Sequence, residues 1–241
     1  EIIECETQPT GSIASRAERL LDQVLEADGL QADELHFVGH STGGLDIRLL
    51  VTPGVRLREG TVEEQLATRT RNVISLCTPH FGTPLASFFT TMQGKNLLRL
   101  LTVLATSNQG RYAIFGAAQL TSLMAALDDN LGRRNTLLDM LSERLLNRVT
   151  LNRDDPLWQF LEEISSDQGA IIHLTPEGMD LFNAAVSDRP RVRYHSVVAA
   201  AHKPSIGRLL ENLRPLERAT TYSIFSILYS ITSREHSHYP Y

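Results

Sequence analysis

The sequence has little cysteine, no block of one charge and no long apolar run. Two cysteines, Cys5 and Cys77, stand in 241 residues. That is too few for a disulfide-stapled scaffold, and no C-x-x-C or H-E-x-x-H spacing suggests a metal site. Lysine and arginine total 23 against 28 aspartate and glutamate, a net charge of −5 with no basic run, which argues against a nucleic-acid partner. The most apolar stretches are broken by Arg, Asn or Gly well before the roughly 20 residues that span a bilayer. Residue 1 is Glu rather than Met, which leaves cytoplasmic and secreted locations both open. No internal repeat or low-complexity segment occurs.

What is present is an ordinary globular composition, 42% hydrophobic and 21% charged, enough to bury one good core. The chain is organised around residues 35–45, LHFVGHSTGGL. Leu35, His36, Phe37 and Val38 read as a short buried strand, and the residues from Gly44 to Val51 as a helix. Between them stands G-x-S-x-G, made of Gly39, His40, Ser41, Thr42 and Gly43. A serine in that sequence, between a strand and a helix, is the signature of a nucleophile elbow, a strained turn that lifts the hydroxyl above a sheet. Gly39 and Gly43 are expected to remove bulk there, because a Cβ at either place would crowd helix against strand. The free N–H groups of the helix N-terminus would face the reaction site, where an oxyanion is stabilised.

At this point the sequence resembles the α/β-hydrolase superfamily and, within it, the bacterial triacylglycerol lipases. GHSTGGLDIRLL is similar to the lipase elbow and its following helix. Residues 74–86, ISLCTPHFGTPLA, resemble the next lipase strand and the T-P-H-x-G-[ST]-P turn that ends it. Residues 174–198, LTPEGMDLFNAAVSDRPRVRYHSVV, resemble the helix and strand after the lipase lid. The resemblance implies an α/β-hydrolase fold, a mostly parallel sheet with flanking helices and a helical lid insertion. It implies residues 1–84 as core with the elbow, 85–188 as lid and 189–241 as continuing core. It further implies a segment incomplete at both ends, since the opening stretch matches the fourth strand of the lipase pattern.

The remaining elements follow in order. Ile2, Ile3 and Cys5 suggest a short strand over residues 2–6. Residues 12–27 read as a helix with Ile13, Ala17, Leu20, Leu21, Val24 and Leu25 on one face, a Ser15/Glu18 capping box and a stop at Gly29. Residues 62–70 read as a short helix, 72–77 as a buried parallel strand and 78–84 as its exit loop. Alternating strands and helices of this kind indicate a parallel sheet. Leu97 to Leu104, Leu120 to Leu127, Leu137 to Leu146 and Trp158 to Ile164 supply apolar helical stretches. Such leucines are mostly core; the resemblance is what makes them a lid. Thr175 and Pro176 open a later helix as N-cap and first residue, and 192–198 alternate as a strand. Both cysteines fall in stretches read as strands. In the implied fold these are the fourth and sixth, about 14 Å apart at one strand spacing each, beyond disulfide reach. Both are therefore expected to be buried free thiols without redox function.

Ser41 is the candidate nucleophile, and the backbone N–H of Thr42 one oxyanion donor. His40 would face away as a supporting group. A serine hydroxyl needs a histidine base oriented by a carboxylate, and in this fold the acid and then the histidine follow the serine. His36 and His195 read as structural. His80, in TPHFGT, resembles a residue that braces the loop beside the lipase active site, and His173 and His202 precede a helix and lie in a loop. His236 and His238 alone come late enough to serve as base. Asp46, Asp180 and Asp188 read as helix-face and cap residues, no Asp follows Asp188, and Glu211, Glu217 and Glu235 remain. The order of the fold therefore predicts that the triad is not complete within these residues.

The function implied is hydrolysis of carboxylic esters, lipid-like or otherwise apolar, through a Ser41 acyl-enzyme, with contact to a lipid surface through the lid. No cofactor and no obligate partner is expected; some lipases of the resembled kind carry a structural calcium. An acyltransferase or thioesterase on the same fold is one alternative. A non-catalytic hydrolase-fold protein that binds an apolar partner is the other.

Overall fold

The computed structural model describes residues 1–8, 10–90, 169–205, 222, 225–226 and 228–233. The chain divides into two compact units, one of Glu1–Thr83 with Ser166–Ala200, the other of Pro84–Ser165 with Ala201–Tyr241. The first unit takes in residues 166–188, which the sequence reading placed in the insertion. The apolar stretches around Leu97, Leu120, Leu137 and Trp158, and with them the expected lid helices, lie outside the described residues.

The first unit is a mixed α/β structure, a small parallel sheet with flanking helices, compatible with an α/β-hydrolase fold. Helix α1 (Ile13–Glu26) precedes strand β1 (Leu35–His40), helix α2 (Gly43–Leu50), helix α3 (Val62–Arg69) and strand β2 (Thr70–Leu76). Two helices belonging to the same unit follow residue 168, and then strand β3 (Arg193–Val197). The sheet order is β1-β2-β3, parallel throughout. Register pairs Val38 with Ile74 and Ile74 with His195, so Phe37 and Val73 share the opposite face. That face is the packed one. Leu20, Leu21 and Val24 of α1, Ile47 and Leu50 of α2, and Leu66 of α3 close over Phe37 and Val73 in one core. The period-2 alternation of β1 and the helical spacing of α1 are the two halves of this contact.

The local chemistry of α1 differs from the sequence reading. Its N-cap is Ser12, whose Oγ accepts the N–H of Ser15 at 3.2 Å, so the expected Ser15/Glu18 capping box is not formed. At the other end Asp28, not Gly29, adopts the left-handed conformation, with φ 55°. An aspartate tolerates that region because its short polar side chain suits turns. The expected strand over residues 2–6 is also absent: residues 1–8 are irregular. The Glu6 N–H donates to Gln23 Oε1 at 2.9 Å and Gln23 Nε2 donates to the Glu6 carbonyl at 2.7 Å. One side-chain amide thereby takes both backbone partners that a neighbouring strand would have supplied.

The two cysteines are free, but neither is a buried strand residue. Cys5 is half-buried against the core edge, where burial raises its thiol pKa. Cys77 is exposed, one residue beyond β2, with φ 51°.

Helix α5 (Gly169–His173) and helix α6 (Pro176–Ala185) lead into β3; α4 (Pro84–Phe89) belongs to the second unit. As expected, Thr175 is the N-cap of α6, with Pro176 first in the helix; its Oγ1 accepts the Gly178 N–H at 3.1 Å. Met179 of α6 packs with Ile13 and Leu45 in a second apolar cluster. His173 Nδ1 accepts the Ile13 N–H at 3.4 Å, satisfying one of the free donors at the start of α1. In the second unit, the Tyr222 and Tyr229 rings lie 6.0 and 5.9 Å from that of Phe225, and Tyr222 Oη bonds both the N–H and the carbonyl of Ser205.

Candidate active site

Ser41 lies in the two-residue turn between β1 and α2 with φ 54°. A non-glycine residue there costs about 1–2 kcal/mol, so the turn persists only because its surroundings hold it. They hold it on both sides. The Ser41 N–H donates to the Leu76 carbonyl at 2.9 Å, continuing the β1–β2 ladder one residue past the strand. The Ser41 carbonyl accepts the Gly44 N–H at 3.2 Å, which starts the helix. The side chain is half-buried, and among the described residues its hydroxyl has no hydrogen-bond partner.

Thr42 is the N-cap of α2, and its carbonyl accepts from Leu45 at 2.9 Å and from Asp46 at 3.1 Å. Among the described residues its own N–H makes no hydrogen bond. His40 closes β1 on the exposed face of the strand, away from the side that Gly39 faces.

The glycines divide their work differently from the sequence reading. A Cβ on Gly39 would lie 2.5 Å from the Gly43 carbonyl carbon and the Gly44 nitrogen, so strand and helix do cross there. A Cβ on Gly43 would meet nothing within 4 Å; the expectation that Gly43 relieves crowding is not met. Gly44 is the second close approach: its Cβ would sit 2.1 Å from Thr78 Oγ1. The G-x-S-x-G pattern ends one residue before the glycine that packing requires.

Loop 78–83, which leaves β2 beside the turn, is held by helix α6. Asn183 is a two-handed bridge: its Oδ1 accepts from Arg48 Nη1 at 2.7 Å and its Nδ2 donates to the His80 carbonyl at 2.8 Å. The Thr83 N–H donates to the Leu174 carbonyl at 2.8 Å. Burial lowers the His80 pKa, the Arg48 charge lowers it further and Asp188 opposes both. His80 Nδ1 and Thr78 Oγ1 are both buried, and neither has a hydrogen-bond partner among the described residues.

The helix-face or cap role expected of Asp46 is not the one it plays. It is instead 1% exposed and paired with Arg16 of α1, itself buried. Arg16 Nε donates to both Asp46 oxygens at 3.1 Å and Nη2 to Oδ2 at 2.8 Å; Nη1 reaches the Gln8 carbonyl. Burial raises the Asp46 pKa more than Arg16 lowers it, as desolvation of a buried charge commonly does. Nothing in the sequence pattern marked this pair.

His36 is exposed, with its Nδ1 2.6 Å from Asn72 Nδ2, and His195 and His202 are exposed on β3 and beyond it. His236, His238, Glu211, Glu217 and Glu235 lie outside the described residues. Among the described residues no group of three His, Cys, Asp or Glu side chains is placed to hold a metal ion.

No curated protein matches the chain. A family described as Putative serine esterase (DUF676) matches residues 4–149, more than half of the chain and all of the β1–Ser41–α2 turn. The chain belongs to this serine esterase family, and it is a hydrolase.

Proposed function

We propose that this hydrolase cleaves carboxylic esters with lipid-like or other apolar acyl groups through an acyl-enzyme on Ser41. The observation that carries the reading is the left-handed Ser41 between β1 and α2, a strained serine at the start of a helix. In the first step Ser41 Oγ attacks the ester carbonyl carbon and loses its proton to a base. The tetrahedral oxyanion forms beside the N-terminus of α2, where the Thr42 N–H is free to donate to it. Collapse breaks the bond to the alcohol, which leaves with that proton, and water then releases the acid. For the base the sequence offers His236 and His238. The apolar helical stretches within residues 85–188 serve in this reading as a lid that holds the acyl chain.

Reaction with a fluorophosphonate, followed by peptide mapping, tests the reading. Covalent label on Ser41 is the expected result, and turnover of a medium-chain ester that is lost in His236→Ala or His238→Ala would place the base within this sequence. A protein that hydrolyses esters with no label on Ser41 would overturn the assignment of the nucleophile. A protein that neither labels nor turns over would favour the apolar-binding alternative.

A further inference from the structure

The buried Arg16–Asp46 pair ties α1 to α2, the helix that follows the candidate nucleophile. The Asp46 N–H closes the first turn of α2 on the Thr42 carbonyl, so the Asp46 residue stands one turn, about 5 Å along the axis, from Thr42. A helix N-terminus carries roughly half a positive unit charge. A whole negative charge buried one turn below it would more than cancel that potential where an oxyanion has to form. Arg16 supplies the opposite whole charge through three N–H···O contacts.

The other charged groups around α2 are directed elsewhere. Arg48 engages Asn183 and Asp188, and Arg71 of β2 pairs with Glu34. Glu18 and Asp22 of α1 pair with Arg58. His173 of α5 binds the Ile13 N–H, and His36 and His40 lie on the exposed side of β1. Of all these, Arg16 is the charge that acts on Asp46.

We infer that Arg16 is a positioning and charge-balancing residue for the hydrolytic site, which neutralises Asp46 so that the α2 N-terminus can stabilise negative charge. The inference rests on Ser41 as nucleophile and the Thr42 N–H as oxyanion donor. A purely structural pair and an electrostatic one make opposite statements about its two halves. If the pair only packs α1 on α2, removing either member slows the site alike. If Arg16 balances charge, its loss is harmful only while Asp46 is ionised, whereas loss of the Asp46 charge does no harm to an oxyanion.

The experiment measures the rate of fluorophosphonate labelling of Ser41 in the whole chain from about pH 5 to about pH 9. Parent protein, Arg16→Met, Asp46→Asn and the double variant are compared, each checked for folding by circular dichroism. The ratio of Arg16→Met to parent should be near one in acid. It should then fall about tenfold as Asp46 ionises, the effect of a unit charge about 10 Å away at the effective dielectric of a protein site. Asp46→Asn, which leaves the Arg16 charge unopposed, should label at least as fast as the parent, and the double variant, with neither charge, should stay within about threefold of it. Equal, pH-independent slowing of the two single variants overturns the inference, as does an Arg16→Met variant as fast as the parent throughout. Should Arg16→Met not fold, Asp46→Asn decides: slowing by more than about tenfold overturns the inference, and labelling at the parent rate or faster supports it. A parent whose Ser41 does not label overturns the serine reading and this inference with it, an outcome distinct from all the others.

Discussion

Ser41 and Leu76 are joined backbone to backbone: the N–H of the candidate nucleophile donates to the last carbonyl of the neighbouring strand at 2.9 Å. The strained serine is thus the final rung of the β1–β2 ladder as well as the first residue of a turn. The proposed role of its hydroxyl and its backbone conformation can be tested separately. Ser41→Ala should lower ester turnover by roughly 10⁶-fold, the loss seen when a serine hydrolase nucleophile is removed. Ser41→Gly should lose turnover equally, yet should be more stable than Ser41→Ala by about 1 kcal/mol, because glycine takes a positive φ without penalty. Thermal melting of the two variants side by side checks this.

The three glycines around the turn should respond in a graded order. Gly43→Ala has open space and lies in the first turn of a helix, where alanine is the better helix former by up to about 1 kcal/mol; it should be neutral or stabilising. Gly44→Ala drives a methyl group into Thr78 Oγ1 and should be destabilising by about 1–3 kcal/mol, with part of the loss restored by Thr78→Ala. Gly39→Ala meets backbone that cannot move aside, and it should be the most damaging of the three in denaturant titration.

Glu63 ties down the loop before α3. Its Oε1 accepts the N–H groups of Leu57 at 2.6 Å and Arg58 at 2.9 Å. Burial raises its pKa, but backbone hydrogen bonds from Arg58, its own residue and Leu57 outweigh that and leave it lowered. A carboxylate held low adds stability above its unfolded pKa of about 4.3, and this is lost as pH falls through the folded value. Glu63→Gln should therefore cost about 1.5–3 kcal/mol at neutral pH. The gap to the parent should narrow below about pH 4 in urea melts across the acid range.

His80 should act in the opposite part of the scale. Its pKa is lowered by burial and by Arg48, so the folded protein resists protonating it. The unfolded chain takes up the proton near pH 6.5, so stability falls as pH drops below about 6.5 toward the folded value. His80→Gln should flatten that decline between about pH 7 and pH 5. An unchanged slope in the variant would show that His80 does not titrate in this way.

How much of this was visible in the sequence depended on distance along the chain. The strand, turn and helix around Ser41 lie within sixteen residues, Leu35 to Leu50, so their pattern is written in one stretch. The N-cap and proline of α6 are equally local. Gly44 was missed because what it makes room for is Thr78, brought beside it only by the β1–β2 pairing. Arg16 and Asp46 were missed for the same reason: each reads alone as a polar helix residue, and only packing of α1 on α2 turns the two into a buried pair. The apolar residues near Ile2 and Cys5 suggested a strand, but a strand also needs a partner, and the Gln23 amide took that place. That the strands run parallel followed from the alternation of elements. The register that seats Ser41 against Leu76 did not, because it is a property of two strands together.

Cys77 gives the hydrolase a built-in attachment point for a reporter. It directly follows Leu76, the residue bonded to Ser41, and its own N–H continues the sheet to the Val197 carbonyl at 2.8 Å. The exposed thiol therefore stands on a backbone anchored on both sides, while Cys5 is half-buried. A small maleimide dye should attach to Cys77 first. A fluorophore there would sit one strand away from Ser41, close enough for its emission to respond to a label on that side chain.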